Sequence, residues 1–256
     1  MIKQSVIFQD LGRMDYQSAW DYQEQLLQEN VRKKSVVYRR ESVVQSPNSD
    51  YETQNSEVII QNSELQTQNY LLFVEHPPVF TLGKSGNINN VLLSEERLKE
   101  RGIEFFRTNR GGDITFHGPE QIVGYPILDL EKFDTDIGHY LRNLEELIIL
   151  TLADYGVEAG RSKGETGVWI DPGIKGKERK ICAIGVRCSR WITMHGFAFN
   201  VNTDLNYFNY IIPCGIQNKQ VTSLQKELGK EIDFEEAKER VKQNFENVFD
   251  VELVSK

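Results

Sequence analysis

The chain has 256 residues, 39% of them hydrophobic, and a formal net charge of -8, with a pI near 5.2. That length accommodates one large domain or two small ones, and so acidic a balance argues against non-specific binding to DNA or RNA, which needs a basic surface. No apolar run approaches the roughly 18–20 residues of a membrane span, so neither nucleic acid nor membrane is expected as a partner.

The opening MIKQSVIFQD has one lysine and only a short apolar run, unlike a secretory signal. The three cysteines, Cys182, Cys188 and Cys214, lack CxxC spacing and fit neither a disulfide framework nor a zinc site. No metal is expected, and the expected address is the cytoplasm.

Residues 4–8 read as a short strand, and 15–33 as a helix with the apolar stripe Tyr16, Ala19, Trp20, Leu26, Leu27, Val31. Residues 41–69 are dominated by Ser, Gln, Asn, Glu and Thr, with only Val43-Val44 and Val58-Ile59-Ile60 to bury. Such a composition offsets little ordering entropy, so this stretch reads as a mobile insertion with a short strand at Val58–Ile60. Deleting most of it is expected to leave the fold intact. Order returns with the strand Tyr70–Glu75, ended by His76-Pro77-Pro78, then a turn at Gly83–Asn90 and a short helix capped by Ser94 and ended at Gly102. Arg110–Pro119 reads as a glycine-punctuated loop feeding the strand Gln121–Leu130.

From Ile137 to Tyr155 the apolar spacing is helical and Gly156 sits where a C′ glycine belongs. Strands are predicted at 167–170, 181–188 and 191–201, the last two forming a hairpin that turns at Ser189-Arg190. Asp233 with Glu236 resembles a capping box opening a final helix through Val248. Strands interleave with helices without regular βα alternation. This predicts an α/β fold of the α+β type, a mixed β-sheet with packed helices.

Cys214 lies in Ile211-Ile212-Pro213-Cys214-Gly215-Ile216, on a sharp turn between proline and glycine. It reads either as a buried structural thiol or as a nucleophile. Cys182 and Cys188 lie inside apolar runs, where burial keeps a thiol inert. A reactive thiol needs a base or cation beside it, and His117, His195 and Lys180 are the residues available. Lys180 ends a charged loop and enters an apolar strand, so it reads either as one more solvated loop cation or as a base. Residues 195–200 either line an apolar pocket or fill the core.

In order along the chain, the informative segments are Glu75–Gly83, Arg110-Gly111-Gly112 through Thr115-Phe116-His117-Gly118-Pro119, Gly167-Val168-Trp169, Lys180–Gly185, His195–Val201 and Pro213–Ile216. Together they resemble the lipoyl(octanoyl) transferases over about residues 5–225, apart from the polar insertion. The resemblance implies one catalytic domain over 1–256, with the fold of biotin protein ligases and lipoate ligases. It implies octanoyl transfer from octanoyl-acyl carrier protein to a lysine of lipoyl domains, those of 2-oxoacid dehydrogenase E2 subunits and of the glycine cleavage H protein. This is the first step of endogenous lipoate synthesis, and no cofactor is implied.

It also implies that Cys214 carries the acyl group as a thioester and that Lys180 moves its protons. The acyl site would be lined by Arg110, Gly111, Gly112, Asp113, Ile114, Thr115, Phe116 and His117, with Ala183, Ile184 and Gly185, and Gly196, Phe197 and Ala198. Backbone N–H groups near Gly215 or in the Gly111-Gly112 loop are candidates to hold the oxyanion. An acidic carrier needs a local basic patch, for which Arg107, Arg110, Lys177, Arg179, Arg187 and Arg190 are candidates. The family usually has glycine where Glu120 stands and leucine at Phe197 and Phe199, substitutions that bear on pocket depth.

Overall fold

In the run Tyr70–Val74 every residue is apolar, as a strand buried on both faces requires. It forms β2 (Asn69–Glu75) in the middle of the main sheet. Leu71 and Phe73 point to one apolar cluster, and Tyr70, Leu72 and Val74 to another on the opposite face. The computed structural model describes residues 3–44, 66–212 and 220–255.

The main sheet contains β1 (Gln4–Arg13), β2, β6 (Gln121–Ile127), β7 (Val168–Ile170), β8 (Arg179–Ser189), β9 (Ile192–Asn200), β10 (Gln220–Val221) and β11 (Val251–Ser255). Its order is β10-β8-β9-β6-β2-β1-β11, with β7 also paired to β8. β1 lies parallel to both β2 and β11, β10 lies parallel to β8, and the other pairs are antiparallel. Helix α1 (Tyr16–Val44) covers one face through Ala19, Leu26 and Leu27. On the other face pack α3 (Ile137–Ala153), through Leu144, Leu147 and Ile148, the short α4 (Leu224–Leu228), through Leu224, and α5 (Phe234–Phe249), through Val241 and Phe245. The expected mixed sheet with packed helices is the fold observed.

A second sheet, β4-β3-β5, comprises β3 (Val79–Leu82), β4 (Glu104–Arg107) and β5 (Ile114–His117). It encloses its own cluster around Phe80, Leu82, Phe116 and Leu98 of α2 (Glu95–Glu100). The caps fall as expected. Ser94 accepts from Arg97 N, and Asp233 accepts from Glu236 N at 3.0 Å. Helix α3 stops at Ala153, and Gly156 takes its left-handed φ of 72° after a further turn.

Several boundaries differ from the sequence expectation; the strand expected over Gln121–Leu130 ends at Ile127, and β8 begins at Arg179 rather than 181. Strand β1 runs on to Arg13 because β2 pairs along it as far as Glu75. The β8–β9 turn is Arg190-Trp191, one residue later than expected, and both residues have positive φ, 50° and 64°. A two-residue hairpin loop of this kind favours Gly or Asn, and neither is present. The strained turn is held by tertiary bonds: Lys34 Nζ donates to Arg190 O at 3.1 Å and Leu130 N to Trp191 O at 2.8 Å. Helix α1 continues past residue 33 to Val44, so the first four residues of the expected 41–69 insertion are helical. Residues 45–65, with the strand expected at Val58–Ile60, lie outside the described residues.

The continuation of α1 coincides with a buried ion pair. Lys34 Nζ lies 2.7 Å from Asp129 Oδ1 and 2.9 Å from Glu131, and Asp129 Oδ2 accepts from Thr67 Oγ1 at 2.7 Å. Asn30 exchanges two hydrogen bonds with the backbone of Gln68. These contacts fix α1 to the start of β2. Lys34→Met should strand a buried carboxylate and cost about 3 kcal/mol, read as a lower urea midpoint. Glu131→Gln, the exposed member, should cost under about 1 kcal/mol; equal effects would contradict this assignment.

Candidate active site

A cavity of about 670 Å³ lies between the main sheet and the glycine loop 110–113. Its floor is a ladder of small side chains: Val123 of β6 pairs with Ala198 of β9, Ala198 with Ala183 of β8, and Gly196 with Gly185. Small residues are required because the loop rests on them. A Cβ at Gly185 would lie 2.8 Å from Gly111 O, and one at Gly83 would lie 2.3 Å from Gly112 O. Gly111 N donates to Val186 O at 2.9 Å, which bonds the loop to β8 and commits the Gly111 N–H. Gly111 is therefore withdrawn as an oxyanion donor.

Arg110, buried beneath this loop, is its rivet. Its guanidinium donates to the carbonyls of Gly111 (2.9 Å), Thr81 (2.6 Å) and Asp113 (2.8 Å), and to Thr81 Oγ1 (2.9 Å). From Thr81 a hydrogen-bonded chain crosses the site. His117 Nε2 is 3.2 Å from Thr81 Oγ1, and His117 Nδ1 is 3.0 Å from Gln121 Oε1. Gln121 Nε2 donates to Asn200 Oδ1 at 2.8 Å, and Asn200 Nδ2 donates to Thr222 O at 3.0 Å. Because the Gln121 amide nitrogen is used on Asn200 and Phe116 O, its oxygen accepts, which assigns the His117 proton to Nδ1 and the lone pair to Nε2.

Lys180 stands at the start of β8, clamped by Trp169 of β7 on one side and Val221 of β10 on the other. It is 9% exposed, with Nζ 4.6 Å from the centre of the Trp169 ring. Gly167, at φ 119°, passes so close that a Cβ there would lie 3.5 Å from Lys180 Cε and 2.6 Å from Cys182 O. Lys180 borders the cavity, so the lysine selected from sequence does share a chamber with the glycine loop.

Cys214 lies outside the described residues, but the chain on either side of it is anchored. Ile212 N donates to Asn90 O at 2.8 Å, and Asn90 Nδ2 donates to Asp113 Oδ2. Gln220 N donates to Glu178 O at 3.2 Å and Thr222 N to Lys180 O at 2.9 Å. Cys182 is fully buried, and burial pushes its thiol well up; Cys188 is half-buried and shifted the same way.

Of the residues expected to line the acyl site, Arg110, Gly111, Gly112, Asp113, Ile114, Thr115, His117, Ala183, Ile184, Gly185, Gly196, Phe197 and Ala198 border the cavity. Phe116 does not. Along β5 its side chain alternates away, stacking on Tyr207 at 4.5 Å in the small-sheet core. The Asp113 carboxylate is occupied by Asn87 N and Asn90 Nδ2, a fastening role. Phe199 is buried in the core beneath α3 and α5, so of the two phenylalanines only Phe197 borders the cavity. Its ring lies over Gly124, where a Cβ would come within 2.1 Å of it. Glu120 has a left-handed φ of 61°, the geometry that favours glycine, and is held there by Asn202 and Thr203, which both bond to its carbonyl.

Tyr16 and Tyr125, not expected at the site, also border the cavity, as does His195. Tyr16 stacks on His117 at 6.0 Å, with its hydroxyl pushed up to about 12 by burial. Tyr125 donates to His76, which directly follows β2 as expected and is fully buried, its Nδ1 donating to Met14 O. His195, φ 57°, donates its N–H to Gln23 Oε1 rather than along the sheet. Burial lowers His76 to about 4 and His195 to about 3, and burial, then the neighbouring His76 and Arg110, place His117 well below the ordinary range. All three imidazoles are neutral in the native protein.

The unfolded chain takes up these protons below about pH 6.5, where the native state does not, so stability is full above that pH and falls as pH drops through the window. His195→Gln should remove up to about 1.4 kcal/mol per pH unit of that dependence between pH 6.5 and 4. Urea midpoints across the range measure it, and an unchanged slope would mean that His195 titrates freely in the folded state.

The sequence matches the lipoyl protein ligase A/B catalytic domain over residues 50–246. It is 54% identical to an octanoyltransferase of Flavobacterium johnsoniae over 254 residues, covering 99% of this chain and 100% of that protein. It is 45% identical to an octanoyltransferase of Cytophaga hutchinsonii over 249 residues, covering 97% and 94%. Among solved structures the fold resembles a lipoate-protein ligase A bound with ATP, with a TM-score of 0.64 at 14% identity over 100% of this chain and 89% of that one. It also resembles the lipoate protein ligase of Thermoplasma acidophilum, with a TM-score of 0.63 at 15% identity over 100% and 87%.

Proposed function

The chain belongs to the lipoyl protein ligase A/B catalytic-domain family and, within it, to the octanoyltransferases, and we propose that it takes its octanoyl group from octanoyl-acyl carrier protein and passes it through a Cys214 thioester to a lysine of a lipoyl domain. The observation that carries this reading is the placement of Lys180. It is a buried lysine on the wall of a small-residue cavity, flanked by β10, which begins six residues after Cys214 and is hydrogen-bonded along Lys180's own strand.

In the first step the Cys214 sulfur attacks the donor carbonyl, the bond from carbonyl carbon to carrier sulfur breaks, and the thiol proton passes through Lys180 to the departing thiolate. Thioester is exchanged for thioester at nearly equal energy, so alignment matters more than driving force. In the second step the acceptor amine attacks the same carbon and an amide forms. The bond to Cys214 breaks, and the amine proton returns through Lys180 to the sulfur. The polar chain through His117 and Gln121 holds its groups neutral and hydrogen-bonded, so the chamber can take an uncharged alkyl chain without exposing an unpaired charge to it. Proposed acceptors are the lipoyl domains of 2-oxoacid dehydrogenase E2 subunits and the glycine cleavage H protein, and the reaction needs no cofactor.

Intact-protein mass after mixing with octanoyl-acyl carrier protein tests this. Wild type should gain one hydroxylamine-labile octanoyl group and Cys214→Ser none. An adduct surviving in Cys214→Ser would overturn the thioester, and transfer from free octanoate with ATP in that variant would indicate ligase chemistry. Phe197→Leu should open the cavity by about one methylene. It should shift donor preference toward the decanoyl carrier by about fourfold, the equivalent of ~0.8 kcal/mol, measured as the ratio of kcat/KM values; an unchanged ratio would place the chain terminus elsewhere.

A further inference from the structure

We infer that the β7–β8 loop, with Ile174 flanked by Lys175 and Lys177, is the docking knob for the acidic acyl carrier protein. The inference rests on the donor assignment above. Ile174 is 49% exposed, large for an apolar side chain, and both lysines are exposed with no acidic partner among the described residues. The loop is a built structure. Ile174 N donates to Asp171 O and Lys177 N to Ile174 O, and Gly173 and Gly176 both take φ of 81°. Its two acids are engaged within the chain: Glu178 accepts from Gly173 N, and Asp171 binds Arg179. The loop therefore shows its partner two cations around one apolar tip, on a chain whose net charge of -8 repels acidic proteins elsewhere.

Of the other basic residues proposed from sequence, Arg107 is exposed at the end of β4, and the remaining four are committed. Arg110 is riveted inside the loop, Arg179 is held by Glu227 and Asp171, Arg187 by Glu24, and Arg190 bonds Ser35. Three other large apolar residues are exposed, Ile88, Leu92 and Trp191; Leu92 is followed closely by the exposed Glu95 and Glu96, which would repel an acidic carrier, and Trp191 lies at the far end of β8. Lys177 is three residues from Lys180, within about 11 Å along the backbone. A carrier seated on the knob would therefore present its acyl arm beside the chamber.

The test uses the full chain with Lys175→Glu/Lys177→Glu, Lys175→Arg/Lys177→Arg and Ile174→Ser, each checked for an unchanged melting temperature. The charge reversal should raise KM for octanoyl-acyl carrier protein about tenfold, leave kcat within about twofold, and flatten the salt dependence of kcat/KM. The arginine variant should restore KM, and Ile174→Ser should raise it a few-fold. KM for a lipoyl-domain acceptor should not move. An unchanged carrier KM, or a rise confined to the acceptor, would overturn the inference. Absence of any octanoyl adduct on the wild-type enzyme would instead refute the donor and thioester reading.

Discussion

The guanidinium of Arg110 hydrogen-bonds three backbone carbonyls and one hydroxyl, and three chain segments close around it. A buried cation is costly unless its donors are satisfied; here the carbonyls of Thr81, Gly111 and Asp113 supply that satisfaction. In doing so they tie the glycine loop to the small sheet, and Gly111 N, donating to Val186 O, bonds that loop to β8 of the large one. The glycines at 83, 112 and 185 follow from that convergence, because a side chain at either Gly83 or Gly185 would occupy the space where the segments cross. The small-residue floor of the cavity is thus a by-product of how the loop is riveted as well as room for a ligand.

From the same guanidinium the hydrogen-bond chain runs through Thr81, His117, Gln121 and Asn200 to Thr222, beside the strand that carries Lys180. Each member has a defined donor and acceptor role, so the chain has one direction and the imidazole one tautomer. Lys180 and the glycine loop consequently sit on two ends of one rigid polar frame. The apolar floor lies between them, which suits chemistry that depends on alignment.

Long, strongly patterned elements were legible in the sequence. β2, β6 and α3 announced themselves by continuous or 3.6-period hydrophobicity, and Asp233 and Ser94 by their capping chemistry. The elements missed were short and depend on partners distant in sequence. β3, β4 and β5 have four residues each and exist through pairing with one another. β10 has two residues and leans on β8. Just past the predicted end of α1, a lysine is buried against an aspartate 95 residues away, which periodicity cannot register. In the site, the glycine loop and Lys180 were found from residue chemistry, whereas the inward turn of Arg110 and the outward turn of Phe116 depended on tertiary packing. His76 stands at the end of β2 as expected, but its burial was not legible because its partners, Met14 and Tyr125, come from separate elements.

The pairing of β1 with β11 has a kinetic consequence. Residues 4–8 find their partners at 251–255, whereas β8 and β9 meet across a two-residue turn and β2 meets β6 within a much shorter span. Closing the longest loop carries the largest entropy cost before any contact repays it. By contact order, the β1–β11 edge is among the last parts of the sheet to assemble, and the β8–β9 hairpin is among the first. The strand that bears Lys180 is thus organised early, and the opposite margin of the sheet sets the pace of completing the fold.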